Sequence, residues 1–251
     1  MPHVAAGQPR TVNESRVEIR EERLNTDGPS LAFLMTALSP SERRRADAMR
    51  APLSRAGFIQ ARAALRGMLA GPQQDPASIP LEQRCPRCRS ENHGVVSLRG
   101  RRDVAVSLSH SARGIVVAVA YACGAVGVDC EANDAIGSGW AEIADRVFTL
   151  PERERIAASG ANEDARVATQ LWCRKEAVVK AARRGLLLSL RSFDVAAARG
   201  DAWTWIQLGG GGYYVRDLPQ AHGCAAALAV ASPARVVDRS PLARELTGAM
   251  P

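Results

Sequence analysis

The stretch Leu171-Trp172-Cys173-Arg174-Lys175-Glu176-Ala177-Val178-Val179-Lys180-Ala181 holds both lysines of a chain that has 33 basic residues. Arginine fills every other cationic position. A compact ammonium and a planar guanidinium are not interchangeable, so lysine is retained here for something arginine does badly. Glu176 lies four residues before Lys180, and at helical spacing both project from one face. A surface ion pair on an amphipathic helix explains that spacing equally well if the stretch is read alone. The rest of the chain decides between the two.

At 251 residues the chain can form one large domain or two smaller ones, each with a proper core. Hydrophobic content of 46% and charged content of 24% suit a soluble globular protein. No apolar run approaches the roughly 20 residues that span a bilayer, and Met1-Pro2-His3-Val4 opens no basic-then-apolar leader. The expectation is a cytoplasmic protein without a membrane partner. Residues 1–125 carry 18 basic and 11 acidic side chains, and residues 126–251 carry 15 of each, so the whole net charge of +7 sits in the first half. That asymmetry suggests an anionic partner: phosphates, an acidic protein or nucleic acid. Aromatic content of 4% leaves little material for stacking bases, and no nucleic-acid motif is present, so nucleic acid is the least favoured.

Six cysteines, at 85, 88, 123, 130, 173 and 224, are scattered without a secretory context, and reduced thiols are expected. Cys85-Pro86-Arg87-Cys88 with His93 resembles half of a zinc knuckle. A structural zinc takes four ligands and no second matching pair exists, so the sequence leaves zinc open and does not favour it.

Read for elements, residues 1–30 look irregular apart from a strand around Val17–Ile19. Ser39-Pro40-Ser41-Glu42 is a helix-opening capping pattern, and that helix is expected to carry Arg43, Arg44, Arg45 and Arg50. A second helix covers Arg55 to Leu69 and stops at Gly71-Pro72. Residues 71–94 read as a long loop. Strands follow at Val104–Leu108, Ile115–Ala120 and Ala125–Cys130, the first two joined by Ser109-His110-Ser111-Ala112-Arg113-Gly114. The second half repeats the order, with helices near 140–147, 151–159 and 163–183 before strands near 191–195, 203–208, 212–216 and 224–231. This predicts an α+β fold built as a pseudo-duplicate, with halves at 1–125 and 126–251 and a loosely ordered tail from Ser232.

Gly127-Val128-Asp129-Cys130-Glu131 places two carboxylates at i,i+2 on one face of a predicted strand, with Cys130 pointing the other way. Carboxylates so placed repel unless solvated or bridged by a cation. With Glu176 from a neighbouring helix, three hard oxygen ligands would suit Mg²⁺, and Lys180 would lie beside the same phosphate as a point charge. A solvated strand end explains Asp129 and Glu131 on their own. Ser109-His110-Ser111 reads either as a locally bonded turn or as a phosphate contact. A Ser-His-Asp hydrolase is set aside because the Gly-x-Ser-x-Gly elbow is missing.

Taken in order and spacing, these segments resemble the 4′-phosphopantetheinyl transferases of the surfactin-synthetase-activating (Sfp-like) type, over about Pro40 to Asp194. Val106-Ser107-Leu108-Ser109-His110-Ser111 is similar to that family's strand-turn motif. Gly127-Val128-Asp129-Cys130-Glu131 is similar to its metal motif, and Trp172 to Ala181 to its Trp-x-x-Lys-Glu-Ala-x-x-Lys signature. Arg146-Val147-Phe148-Thr149-Leu150-Pro151-Glu152 matches the Arg-x-Phe segment between them. The resemblance implies a pseudo-dimer of two similar α+β halves. It also implies Mg²⁺-dependent transfer of 4′-phosphopantetheine from coenzyme A to a serine of an acyl or peptidyl carrier protein, with 3′,5′-ADP released, in polyketide or nonribosomal peptide biosynthesis.

By the same resemblance Asp129, Glu131 and Glu176 would hold the metal, and Lys180 would neutralise the transferring phosphoryl group with Lys175 nearby. Ser109 and His110 would contact the adenosine 3′-phosphate. Glu152 stands where the family has a candidate general base, with Glu131 as another candidate. Arg43 to Arg45 and Arg50 would meet the adenosine phosphate or the acidic carrier, and we single out Arg44 and Arg50 for coenzyme A; a merely solvated helix face explains those arginines as well. One departure stands out: relatives carry Lys or Arg after the His-Gly pair, where this chain reads His93-Gly94-Val95-Val96. Arg99, Arg101 or Arg102 is expected to substitute. A monomer is expected, since the two halves can form a site between themselves. The alternatives are a non-catalytic relative that binds coenzyme A or a carrier domain, and a zinc-stabilised nucleic-acid-binding module.

Overall fold

The computed structural model describes residues 15–240 apart from 86, 92, 136–138 and 220. The first half runs β1 (Arg16–Arg23), α1 (Gly28–Met35), α2 (Pro40–Ala48), α3 (Pro52–Leu69), β2 (Leu81–Arg84), β3 (Val95–Leu98), β4 (Val104–His110) and β5 (Gly114–Tyr121). The second runs β6 (Val126–Ala132), α4 (Trp140–Val147), α5 (Leu150–Ala158), α6 (Asp164–Ala182), β7 (Thr204–Leu208), β8 (Gly211–Asp217), β9 (Cys224–Val230) and β10 (Arg235–Asp238). The fold is α+β. None of the described helices is long and apolar enough to cross a membrane.

Two four-stranded sheets, ordered β10-β1-β5-β4 and β6-β9-β8-β7, form the middle of the molecule. Strand alternation explains how they meet. Val17 and Ile19 of β1, Val116, Ala118 and Ala120 of β5, Val128 and Cys130 of β6, and Ala226 and Leu228 of β9 share one buried cluster between the sheets. The opposite faces are covered by the two long helices. Ala61, Ala64 and Leu65 of α3 pack on Val117 and Val119 of β5; Ala177, Val178 and Ala181 of α6 pack on Ala225, Ala227 and Ala229 of β9.

The halves repeat one plan. In each, the first strand pairs antiparallel with a later one, β1 with β5 and β6 with β9, and that later strand pairs antiparallel with the one before it, while β10 adds to the other half's sheet. Each half also has a short helix opened by a capping box, Ser39 with Glu42 in α2 and Thr149 with Glu152 in α5. In both, the capping glutamate is buried against a cation of the long helix. Glu42 meets Arg66 of α3 at 2.7 Å, and Glu152 meets Lys175 of α6 at 2.9 Å.

Four departures from the sequence reading have physical causes. Helix α1, which was not expected, begins at Gly28 inside the stretch read as irregular and is capped by Asp27, whose side chain accepts from the Ser30 amide. The loop at 71–94 contains β2, which pairs with β3 as a separate hairpin. The tail after Ser232 forms β10, which adds parallel to the edge of β1; residues 241–251 lie outside the described part. Finally, Leu190–Ser192 is a 3₁₀ turn where a strand was expected. Its neighbourhood spends its backbone groups on side chains: the carbonyls of Leu190 and Phe193 accept from Lys175, and the Val195 amide donates to Glu152.

β10 brings Asp238 toward half-buried Glu21 of β1. Burial, then the Asp238 charge, pushes the Glu21 carboxyl up to about 7. A raised carboxyl pKa means that the folded state holds its proton while the unfolded chain releases it. Stability is then lost as pH rises from the ordinary value of 4.5 through about 7. Glu21→Gln should therefore raise stability by about 1–3 kcal/mol at pH 8, with the gain shrinking toward zero near pH 4, in urea melts at the two pH values.

Candidate active site

The site forms where β4 of the first half meets β6 of the second. The Ser107 hydroxyl accepts the Val128 amide at 3.0 Å, tying the two strands together. Ser109, two residues on and on the same face, donates to Asp129 Oδ1 at 2.8 Å.

Gly127 decides how close α6 can come. A β-carbon there would sit 2.0 Å from the Ala177 carbonyl oxygen and 2.5 Å from the Ala181 nitrogen, so α6 lies directly on the β6 backbone. Residues 127, 129 and 131 share that face of β6. The contact sets Lys180 Nζ 2.7 Å from Asp129 Oδ1. α6 begins with Asp164 and ends with Lys180 in its last turn, as the helix dipole favours, and Arg183 closes it in the left-handed region at φ 56°.

The electrostatics are those of a crowded acidic cluster short of positive charge. Asp129 is 3% exposed, and its second oxygen, Oδ2, has no hydrogen-bond partner among the described residues. Burial, then the Asp129 charge, pushes the Glu131 carboxyl up to about 7, and the same two causes raise Glu176. Burial pulls the Lys180 ammonium down, but Asp129 outweighs it and holds Lys180 above its ordinary value. An orphaned buried carboxylate oxygen beside two carboxyls that resist ionising is the environment a hard divalent cation relieves. The donor set, all oxygen on a strand and a helix that are both firmly packed, is of the kind Mg²⁺ takes, but ligand oxygens of Asp129, Glu131 and Glu176 do not all lie within 4.8 Å of one another, so the side chains would have to close on the ion.

Ser109, His110, Glu176 and Lys180 all line one cavity of about 700 Å³. Its other walls come from the α2–α3 region (Arg45, Phe58, Arg62), β2 (Gln83), the hairpin connection (Cys85, Arg87, Cys88, His93) and the end of α6 (Arg183, Arg184). Gly57 lets α3 approach here: a β-carbon on it would lie 2.7 Å from the His110 ring. Burial, then the nearby Lys180 charge, lowers the His110 pKa, so the ring is neutral near pH 7 until an anion arrives.

Several expected ligand contacts fall elsewhere. Arg44 and Arg50 are exposed and do not line the cavity; α2 ends at Ala48, before Arg50, and presents Arg45 inward in place of Arg44. Arg45 stacks over Phe58 at 4.7 Å from the ring centroid. Arg62 donates to Gln83 at 2.6 Å. Neither Arg99 nor Arg101 lines the cavity, because they pair with Glu82 and Asp103 at the surface; Arg102 does not line it either. Arg87 is the cation that the loop before Gly94 supplies instead. Sequence gave no separate signal for Arg62, which reads as one more residue of an amphipathic helix. Arg183 and Arg184, one turn past Lys180, could have been found by continuing the helical face. Cys130 is 2% exposed, and burial pushes its thiol far above the ordinary range. Ser111 stays within its turn, its hydroxyl near the Gly114 amide and carbonyl and the Cys224 sulfur.

Lys175 and Glu152 are together but away from the cavity. Both side chains are 0% exposed. The three N–H bonds of Lys175 meet Glu152, the Leu190 carbonyl at 2.7 Å and the Phe193 carbonyl at 2.8 Å, which uses its whole donor capacity. Glu152 accepts in addition from the amides of Thr149 and Val195. This burial is at odds with a ligand contact for Lys175 and with a proton-abstracting role for Glu152, since no incoming hydroxyl reaches either.

With this geometry in view, comparison with known families is informative. Residues 125–225 match the model of the 4′-phosphopantetheinyl transferase superfamily. The matched segment runs from the start of β6 through α6 into β9 and so contains Asp129, Glu131, Glu176 and Lys180. It is the superfamily's likeness, at the level of the superfamily, that the second half carries. A comparison with curated proteins finds no match.

The buried pair has a distinct mutational signature. Lys175→Met strands the Glu152 carboxylate and should cost about 3–5 kcal/mol, whereas the double variant with Glu152→Gln should recover much of that loss. Urea melts of both variants and of Lys180→Met check this; Lys180→Met should cost clearly less, because water reaches Lys180.

Proposed function

We propose that the protein is a Mg²⁺-dependent 4′-phosphopantetheinyl transferase of the Sfp-like type, acting in the cytoplasm as a monomer on an acyl or peptidyl carrier protein. The observation that carries the reading is Lys180, which lines a cation-rich cavity together with Glu176 and is bonded to Asp129, a buried carboxylate whose second oxygen is orphaned and which shares its face of β6 with Glu131. The superfamily match over the segment that supplies those residues supports it.

Coenzyme A carries an adenosine 3′-phosphate and a diphosphate, and the cavity offers cations for both. His110, with Arg45 and Arg62 behind it, receives the 3′-phosphate and gains a proton as the anion raises its pKa. Arg87, Arg183 and Arg184 add positive potential at the rim. Asp129, Glu131 and Glu176 would hold Mg²⁺, which when bound supplies charge neutralisation for the diphosphate. Lys180, anchored on Asp129, holds a compact positive charge beside the transferring phosphoryl group.

The carrier serine hydroxyl attacks the β-phosphorus, forming a new oxygen–phosphorus bond. The bond from that phosphorus to the bridging oxygen breaks, and 3′,5′-ADP leaves. Of the two candidate bases, Glu131 is the one left to accept the serine proton, since Glu152 is sealed in its pair with Lys175. We assign Glu152 and Lys175 to holding α5, α6 and the 190–195 turn together, not to the chemistry. The excess positive charge of residues 1–125 suits an acidic carrier surface.

Intact mass spectrometry of an apo carrier incubated with the protein and coenzyme A, with and without Mg²⁺, tests the reading. The expected result is a gain of one phosphopantetheine only with metal. Glu176→Gln and Asp129→Asn should lower the rate by about 10²–10³ with circular dichroism unchanged. Clear coenzyme A binding without transfer to any of several carriers would favour the non-catalytic relative instead.

A further inference from the structure

The β2–β3 hairpin ends in a connection, residues 85–94, of which the proposed chemistry uses only Arg87. Cys85 immediately follows β2, and His93 and Gly94 immediately precede β3, so the hairpin brings the two ends of the connection together. The Cys85 amide donates to the Ser90 carbonyl at 2.9 Å, and the Arg89 amide donates to the Cys85 carbonyl at 2.9 Å. Arg89 takes a left-handed φ of 58° to close this turn.

Gly94 completes the arrangement. At φ 104° a β-carbon would sit 2.5 Å from the Arg84 carbonyl and the Cys85 backbone, so only glycine lets the chain fold back this tightly. That fold-back lays His93 beside both cysteines. Cys88 Sγ and His93 Nε2 are 3.3 Å apart, and one ligand atom from each of Cys85, Cys88 and His93 lies within 4.8 Å of the others. A tetrahedral zinc with ordinary Zn–S and Zn–N bonds needs ligand atoms about 3.5–3.8 Å apart. Small side-chain movements reach that geometry from here.

We propose that Cys85, Cys88 and His93 bind a zinc ion that pins the hairpin connection as a wall of the cavity and keeps Arg87 turned into it. Two thiolates and an imidazole select a borderline-soft metal and reject Mg²⁺, so this site is separate in chemistry from the carboxylate cluster. Three protein ligands leave the fourth tetrahedral position to water or to a donor atom of a cavity ligand. The sequence pattern lacked a second ligand pair because the site is a single knuckle at a hairpin end, not a four-ligand finger.

The test is elemental analysis of the full chain purified without chelator, and it holds whether or not the transferase reading stands. The proposal expects about one zinc per chain, less than about a tenth in Cys88→Ser and in His93→Asn, and full zinc in Glu176→Gln. Cobalt added to the zinc-free protein should give thiolate charge-transfer absorption. Trypsin cleavage after Arg87 and Arg89 should speed up several-fold when zinc is removed. Metal-free wild type that takes up neither zinc nor cobalt at micromolar concentration overturns the proposal. So does a Cys85–Cys88 disulfide in freshly purified protein, which would make the pair a redox couple instead.

Discussion

The site depends on the contact between the backbone of β6 at Gly127 and the backbone of α6 at Ala177 and Ala181. Any side chain at 127 would have to push the helix away or bend the strand. The neighbouring strand repeats the economy of volume: Ala225, Ala227 and Ala229 are the β9 residues that face α6. With the helix this close, Lys180 reaches Asp129 directly, and Glu176 shares the electrostatic field of Asp129. Interiors are close-packed and rigid, so small residues at an interface fix a distance as firmly as large ones fill a gap.

The two halves solve one structural problem twice with different cations. Arg66 uses its fork to reach Glu42 and the carbonyls of Pro76, Ala77 and Ile79. Lys175 uses three N–H bonds to reach Glu152 and two carbonyls. Each cation locks a capping helix and a connecting turn onto a long helix. The buried charge is tolerated because every donor of Lys175 has a partner. Only the second half places a further carboxylate and lysine along the same helix, and so only that half contributes the acidic cluster.

Much of this was legible in the sequence, and the part that was not has a common cause. The continuous apolar runs of β4, β5, β6 and β9 and the helical period of α3 and α6 are strong local signals, and they located the strands and long helices of the core. The Gly127–Glu131 and Trp172–Ala181 segments carried the acidic cluster because the residues that meet are close in sequence to a readable motif. What failed was long-range pairing: β10 on β1, the 190–195 turn wrapped on Lys175 and Glu152, and Arg62 aimed at the cavity. No local pattern reports a backbone carbonyl that serves a lysine many residues away. Lysine retention was a partial guide. Lys180 faces the cavity, whereas Lys175 is kept because a compact ammonium suits three convergent acceptors.

The central claim is that the Gly127 contact sets the separation on which ligand binding depends. Thermal melting of wild type and Gly127→Ala, each with and without coenzyme A and Mg²⁺, tests it most directly. The account predicts that the variant still folds, melts lower by an amount corresponding to about 1–3 kcal/mol, and loses the stabilisation that coenzyme A gives the wild type. A variant that melts with the wild type and is stabilised equally by coenzyme A would contradict it.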